Sequence, residues 1–264
     1  MSQNSSDTTA EAPVSPRKWR MLLIMPVWVV ASFYAAQLLV WLIVTVLKAL
    51  QVPLGSINTN VFSTILALLL YAVTLVIVIG VPWLVRKYKV TTEELGIHRL
   101  PTWTDILMAP AGAVVYFLLS ALLVFIATTL LPAINTNQVQ DTGFGELGQS
   151  YEYILAFSTL VILAPVAEEI LFRGYLLGKL IKFVPLWIAV LATSLLFAFF
   201  HISGDLSHVD WPLFIDTFAL SIILCLLRLS TGSVWASILL HMIKNGVAFY
   251  VLFVNPILTS TIGG

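Results

Sequence analysis

Long apolar runs are the feature that most restricts how this chain can fold. A run of about 20 apolar residues is long enough to cross the hydrocarbon core of a membrane as a helix. Runs of this kind lie near residues 21–47, 60–85, 104–131, 152–177, 185–203, 212–229 and 233–254. The sequence therefore predicts an all-α fold, a polytopic transmembrane helix bundle of about seven spans.

The composition fits a membrane protein and excludes several other classes. Hydrophobic residues make up 59% of the chain and charged residues only 10%, so a water-soluble domain of this composition would expose large apolar patches. The formal net charge is zero and the basic residues are spread over short connecting segments, so we expect no nucleic-acid partner. The single cysteine, Cys225, excludes an internal disulfide framework and a cysteine-rich metal site. The lipid bilayer is the expected surrounding.

The chain is predicted to form one membrane domain behind a polar tail. Residues 1–20 are mostly polar and predict a disordered N-terminal tail. The connectors between the apolar runs are too short for a soluble domain, so residues 21–260 are predicted to form a single integral membrane domain. The first run is too long for the core of a signal peptide and ends without a cleavage pattern, which predicts an uncleaved first helix.

The distribution of Lys and Arg predicts the orientation of the bundle. These residues occur before the first run and then in alternate connections, whereas the connections at 50–59, 132–150 and 204–211 contain none. Because cytoplasmic loops carry the excess of Lys and Arg, the N-terminus is predicted to be cytoplasmic. Since no organelle-targeting segment is present, the pattern favours a multi-pass protein of a bacterial plasma membrane.

Three polar clusters interrupt the apolar runs, and ionisable groups at membrane depth are usually functional. The first cluster contains Glu168, Glu169 and Arg173, and it follows Pro165, which is expected to bend its helix. Glu169 and Arg173 are four residues apart on one helix face and are predicted to pair. Glu168 points about 100° away and is left for another role, with the profile of a general base.

The other two clusters are Phe197 to His201 and His241 to Asn245. Glu168 and His201 lie about equally far from a turn near residues 183–185, so they are predicted to meet at the same depth. His241 and Asn245 are one helical turn apart and face one side. Together these groups predict an intramembrane active-site cavity with a base for water and donors for an oxyanion. The more conservative interpretation is a structural ion network with an interfacial histidine.

At these residues the sequence resembles the CPBP intramembrane proteases, also called the Abi or CAAX-protease and bacteriocin-processing family. The family's first motif, paired glutamates with arginine four residues after the second, is matched by Glu168, Glu169 and Arg173. Its second motif, phenylalanine with histidine four later, is matched by Phe197 and His201. Its third, histidine with asparagine four later, is matched by His241 and Asn245. The resemblance is strong over residues 150–250, which it marks as the catalytic core.

The resemblance implies an intramembrane endopeptidase that hydrolyses a peptide bond near the membrane. By this comparison Glu168 activates water and His201 positions or activates it, while His241 and Asn245 stabilise the tetrahedral intermediate. The supporting residues are Glu169, Arg173 and Phe197. The implied substrate is a membrane-associated peptide or a prenylated protein, and bacterial members are linked to bacteriocin immunity and peptide maturation.

The cofactor requirement stays open at this stage. The implied enzyme needs either no cofactor or a divalent metal such as zinc, as in a metalloprotease. A metal would be bound by Glu168, His201 and His241. The absence of an HExxH spacing favours a metal-independent site.

Two other functions would also explain the polar clusters. One is a non-catalytic membrane immunity or scaffold protein that uses the cluster structurally, and retention of every motif residue counts against it. The other is a proton-coupled transporter in which Asp216 and Lys244 join a relay, and the lack of evident internal repeats counts against it. For Asp216 and Lys244 we prefer interfacial anchoring and a structural contact.

The depth of the site raises a question about access. A site up to ~25 Å from a cytoplasmic turn would lie toward the outer leaflet. Either the segment 174–184 runs along the membrane surface, which would bring the site to mid-depth, or the site opens outward.

Overall fold

The computed structural model describes residues 16–131, 142–202 and 210–255. Of residues 16–18 it describes the backbone only. The helices are α1 (Pro16–Ala49), α2 (Thr59–Arg86), α3 (Thr92–Leu95), α4 (Trp103–Leu130), α5 (Ser150–Leu180), α6 (Leu186–Phe200), α7 (Trp211–Thr231) and α8 (Trp235–Val254). The described part of the chain contains no strand, which confirms the all-α bundle.

The predicted spans are found, with one shorter than the rest. Six of the described helices are long and apolar enough to cross a membrane, whereas α6 has 15 residues. The chain is therefore a multi-pass membrane protein. Helix α1 begins at Pro16, inside the segment predicted as a tail, and proline is favoured at a first helical position. Residues 1–15 of that tail lie outside the described residues.

Helices α5 and α7 form the centre of the bundle. In each, 44% of the apolar window is buried, against 17–22% in α1, α2 and α4. Helix α7 packs against α4 and α6, and α1 packs against α2. The buried core includes Phe172, Leu176, Phe197, Leu224 and Leu240. Because lipid tails are as apolar as leucine, close packing holds these helices together, and the first polar cluster lies on one of the two central helices.

Helix α5 changes its hydrogen-bonding pattern around the paired glutamates. A short α-helical stretch, Ala164–Glu169, lies between two π-helical stretches, Ser158–Leu163 and Ile170–Leu177. Pro165 stands at the start of the α-helical stretch, where its missing N–H breaks the regular ladder. π-Helical turns inside helices are frequently found at functional sites. The two carboxylates thus lie on the regular turn between two widened ones.

The connection after α2 packs closely against the end of α5. Thr91 caps α3 by accepting a hydrogen bond from the Glu94 N–H at 3.3 Å, and Gly96 ends it in the left-handed region with φ 72°. A Cβ added to Gly174 would lie 2.7 Å from the Leu95 carbonyl oxygen. Only glycine therefore allows this backbone approach. Gly174 lies about 9 Å along the helix from Glu168, so the connection reaches close to the site level.

Glu168 lies in the middle part of α5. The chain from Gly174 to Leu180 stays within this helix. Glu168 lies about 18 Å from the end of α5 and about 27 Å from its start, so the site is at neither end of the helix. The side of the membrane to which the site opens stays a prediction.

The same connection, which contains α3, also joins α5 to α4 and α8. The Val234 N–H donates to the Gly96 carbonyl at 3.1 Å, and the Trp235 indole N–H donates to the Arg99 carbonyl at 2.6 Å. Arg99 itself pairs with Asp105 at the start of α4. The connection therefore holds α4, α5 and α8 together at this end of the bundle.

Replacing Gly174 with alanine should destabilise the fold. The added methyl group collides with backbone, which cannot turn aside as a side chain can, and overpacking of this kind costs about 1–3 kcal/mol. Gly80 in α2 is the matched control, since a Cβ there meets nothing within 4 Å. Thermal unfolding in detergent should show a clear loss for Gly174→Ala and none for Gly80→Ala. Equal unfolding temperatures would refute the close contact.

The stability of the fold should also depend on pH in the acidic range, because of Glu94. Burial alone raises the pKa of Glu94, but hydrogen bonds from Lys182, Tyr88 and Lys179 outweigh it and lower the pKa from 4.5 to about 2. A lowered pKa means that Glu94 contributes stability above pH 4.5 and loses it as the pH falls toward 2. Unfolding measured between pH 6 and pH 3 should therefore depend less on pH in Glu94→Gln than in the wild type. Identical pH dependences would contradict this role.

Candidate active site

Glu169 and Arg173 form a fully buried ion pair, as their spacing predicts. Arg173 Nη1 donates to Glu169 Oε1 at 2.8 Å, and both side chains have 0% exposure. Arg173 Nη2 donates to Ser221 Oγ on α7 at 2.6 Å. The guanidinium also lies over the Phe197 ring, 4.3 Å from its centroid. The pair thus links α5 to α6 and α7.

Glu168 faces the other way and meets a different set of groups. Its Oε1 accepts a hydrogen bond from the Tyr71 hydroxyl on α2 at 2.6 Å. Its Oε2 lies 3.7 Å from His201 Nε2 and 3.9 Å from His241 Nε2. These separations are too long for direct hydrogen bonds, and at such distances polar groups are commonly bridged by water. The carboxylate and two imidazoles therefore converge on one point.

The partners of the two histidines define their tautomers. His201 Nδ1 lies 2.8 Å from the Phe197 carbonyl oxygen, and His241 Nδ1 lies 2.9 Å from Glu169 Oε1. Both partners are acceptors, so we assign the hydrogen to Nδ1 in each ring. The unprotonated Nε2 of each ring then faces Glu168. The Phe197 ring packs against both histidine rings. Its centroid lies 4.4 Å from that of His201 and 5.7 Å from that of His241.

Burial differs sharply within this group. The side chains of Glu168 and His201 are 14% and 21% exposed, whereas that of His241 is 2% exposed and that of Glu169 is fully buried. Glu168 and His201 therefore lie at the accessible side of the site. His241 and Glu169 form its buried wall.

Asn245 and Lys244 lie farther along α8 and have other partners. Asn245 Nδ2 donates to the Leu160 carbonyl at 2.8 Å, in the first π-helical stretch of α5. Lys244 Nζ lies 3.9 Å from Asp216 Oδ2, and Asp216 accepts hydrogen bonds from Tyr116 and Ser120. Lys244 and Asp216 thus make a contact between α8 and α7, the structural interpretation that the sequence favoured. The described contacts do not join Asn245 to Glu168.

Comparison with known proteins matches a segment of the chain to a family model. Residues 150–247 match the family model described as type II CAAX prenyl endopeptidase Rce1-like. Over this segment the chain is similar to that family. The match contains all three polar clusters and agrees with the core expected at 150–250, so it confirms the resemblance recognised from the motifs. No curated protein and no solved structure matches the chain.

The Rce1-like match supports a CAAX-type intramembrane protease at the level of the family. It includes the residues that converge in the structure: Glu168, Glu169, Arg173, Phe197, His201 and His241. It also includes Asn245, whose amide points to Leu160 instead. Helices α1, α2 and α4 lie outside it.

Sequence reasoning missed two residues that contact the site. Tyr71 lies outside the Rce1-like segment and donates to Glu168, and Ser221 lies within it and accepts from Arg173. A tyrosine in the middle of an apolar run was a weak signal, because its hydroxyl needs a partner when it is buried in a membrane. Ser221 gave no signal, since a small hydroxyl residue is common at helix contacts in membranes.

Tyr71→Phe should slow peptide hydrolysis, the activity that the Rce1-like match suggests, without unfolding the chain. The change removes the hydrogen bond that fixes one Glu168 oxygen, and a hydrogen bond to a charged group is worth about 1.5–3 kcal/mol. We expect kcat to fall roughly 10- to 100-fold with little change in KM. Tyr34→Phe, at an exposed tyrosine of α1, is the control and should leave both unchanged. A wild-type kcat in Tyr71→Phe would show that this contact does not support catalysis.

Proposed function

We propose that the chain is an intramembrane endopeptidase in which Glu168 activates the attacking water. One observation carries the proposal: a partly exposed carboxylate meets two Nε2 lone pairs at 3.7 and 3.9 Å in the interior of a membrane bundle. Any two of these three acceptors can hold a water molecule through its two hydrogens. A water held in this way presents its oxygen lone pair to a substrate carbonyl.

In the proposed reaction, water adds to the carbonyl carbon as its proton passes to Glu168 or to a neighbouring Nε2. Tyr71 holds the carboxylate in place through its second oxygen. The tetrahedral intermediate then collapses, the C–N bond breaks, and the proton passes to the leaving amine. Glu168 and the histidines return to their starting states, so the cycle is complete.

His241 and Glu169 together suit a proton-sharing role. Once Nε2 of His241 takes a proton, it becomes a donor that can stabilise the oxyanion. Glu169, hydrogen-bonded to Nδ1 at 2.9 Å, then stabilises the positive imidazolium and keeps the ring oriented. Asn245 has one amide hydrogen engaged by Leu160, and we assign its second hydrogen to the oxyanion.

We infer that the substrate is a membrane-associated peptide or a prenylated protein. The matched family is described as prenyl endopeptidases, and the site lies on a central helix near mid-depth of the bundle. By the positive-inside rule the end tied by the α3 connection is cytoplasmic, as is the N-terminus. A substrate anchored in the cytoplasmic leaflet would approach the site from that side.

A divalent metal would use the same three groups. If one binds, Glu168, His201 and His241 are its ligands, and it would lower the pKa of a bound water. The Nδ1 partners of both histidines resemble those that orient metal-bound imidazoles. However, the described residues contain no group of three or more His, Cys, Asp or Glu side chains arranged to hold a metal ion. The proposed reaction uses the protein groups alone, and the chelator experiment below tests whether a metal takes part.

The test is cleavage of membrane-anchored and prenylated peptides by purified protein. Wild type, Glu168→Gln and His241→Ala are compared with and without a chelator. Cleavage by the wild type that both variants lose, and that the chelator spares, supports the proposal. Loss of cleavage with the chelator, restored by zinc, would assign the step to a metal. No cleavage by folded wild type would favour the non-catalytic immunity or scaffold function.

A further inference from the structure

A second cavity lies away from the proposed active site, at the end of the bundle that carries the basic residues. Its volume is about 840 Å³, within the range of ligand pockets. It lies between α1, α2 and the last turns of α5. The residues that converge on Glu168 do not line it. It is therefore a separate feature of the fold.

The inner wall of the cavity is apolar. Side chains of α1 supply one side of it, from Met21 through Met25 to Trp28, and Val85 and Phe183 are among the residues that line the rest. These α1 residues extend over two helical turns, about 10 Å. Trp28 donates its indole N–H to the Val78 carbonyl at 3.4 Å, which ties α1 to α2. The wall suits a hydrocarbon chain lying along α1.

The mouth of the cavity is basic. Lys179 and Lys182 hold Glu94 between them at 2.9 and 2.6 Å, and Arg86 has no ion-pair partner within the described ranges. Three cations against one carboxylate leave two positive charges in excess. Lys182 is 49% exposed, so its ammonium can reach a group outside the cavity. A ligand that fits both parts has an anionic head and an apolar chain.

We propose that this cavity binds an anionic glycerophospholipid of the surrounding membrane. Its phosphate contacts Arg86 and Lys182, and one acyl chain lies against Met25 and Trp28. Basic pockets between transmembrane helices are a known way to bind anionic lipid head groups. The charge excess at the mouth selects this occupant over a neutral lipid. The proposal does not depend on peptidase activity.

Lipid retention measured by native mass spectrometry tests the proposal. The protein is purified in mild detergent and incubated with equal amounts of phosphatidylglycerol and phosphatidylcholine. We expect the wild type to retain phosphatidylglycerol at least about tenfold over phosphatidylcholine, because two excess charges favour the anion. Retention without preference would overturn the proposal.

Two variants locate the binding. Arg86→Gln combined with Lys182→Gln should lose most of the preference for phosphatidylglycerol. Lys89 is an exposed lysine between α2 and α3 that does not line the cavity, so Lys89→Gln should keep this preference. Equal losses in both variants would indicate a general effect of surface charge and overturn the site.

Met25→Trp fills the cavity without changing charge and should reduce retention of both lipids. It keeps the test valid if the double variant does not fold.

A competition distinguishes the lipid from a substrate. Farnesyl-cysteine methyl ester carries an apolar chain without an anionic head. We expect a tenfold excess to leave bound phosphatidylglycerol in place. Displacement of phosphatidylglycerol from the wild type would mean that the cavity takes prenyl chains, and the lipid proposal would be wrong.

Discussion

Glu168→Gln should reduce peptide cleavage by roughly 10²–10⁴-fold, the usual contribution of a general base. Glutamine keeps the size of the side chain and still accepts the Tyr71 hydrogen bond on its carbonyl oxygen. It cannot take a proton from water at neutral pH. The loss should therefore appear in kcat, with the substrate still bound.

Two controls separate this effect from a general loss of function. Glu93→Gln changes an exposed carboxylate in the α3 connection and should cleave at the wild-type rate. Thermal unfolding of Glu168→Gln should match the wild type, because its 14% exposed side chain is not part of the buried ion pair. Substantial cleavage by folded Glu168→Gln would reject Glu168 as the base.

Arg173→Met should cause a large loss of stability, because it breaks a fully buried ion pair. It leaves Glu169 as a buried charge, and removing one partner of a buried pair typically costs about 3–5 kcal/mol. His241 Nδ1 would remain as its only hydrogen-bond donor among the described residues. Denaturation in detergent micelles, followed by circular dichroism, measures the change.

The double variant Glu169→Leu with Arg173→Met provides the comparison. Replacing both members of a buried pair with apolar groups is often nearly neutral, so the double variant should recover much of the stability that the single variant loses. It should not recover activity, since His241 loses the acceptor that orients it. If the single and double variants were equally unstable, the cost would come from packing rather than from the unpaired charge.

The sequence predicted those parts of the site that depend on spacing along one helix or across one hairpin. The pairing of Glu169 with Arg173 follows from four-residue spacing, and it is found at 2.8 Å. Glu168 and His201 lie at the same depth because each is equally far from one turn, and they are found 3.7 Å apart. Both contacts follow from the fixed rise per residue of a helix, because the residues lie on one helix or on two helices joined by one turn.

Contacts between distant helices could not be predicted in this way. Tyr71 and Glu168 are 97 residues apart, and their meeting depends on how α2 packs against α5. Spacing placed His241 and Asn245 on one face, but the widened turns of α5 bring the Leu160 carbonyl to Asn245. The change from α to π hydrogen bonding leaves no periodic mark in an almost uniformly apolar run. The catalytic roles of Glu168, His201, His241 and Asn245 stay predictions.

Helix α6 is short for a membrane span, and this has a consequence for the bilayer itself. Its 15 residues measure about 22 Å, whereas a hydrocarbon core is about 30 Å thick. Lipids next to a short span adapt by local thinning. Because α6 ends beside His201, we expect the head-group region to dip at this point. Hydrolytic water then has a shorter apolar path to Glu168, and thinner membranes should favour a faster enzyme.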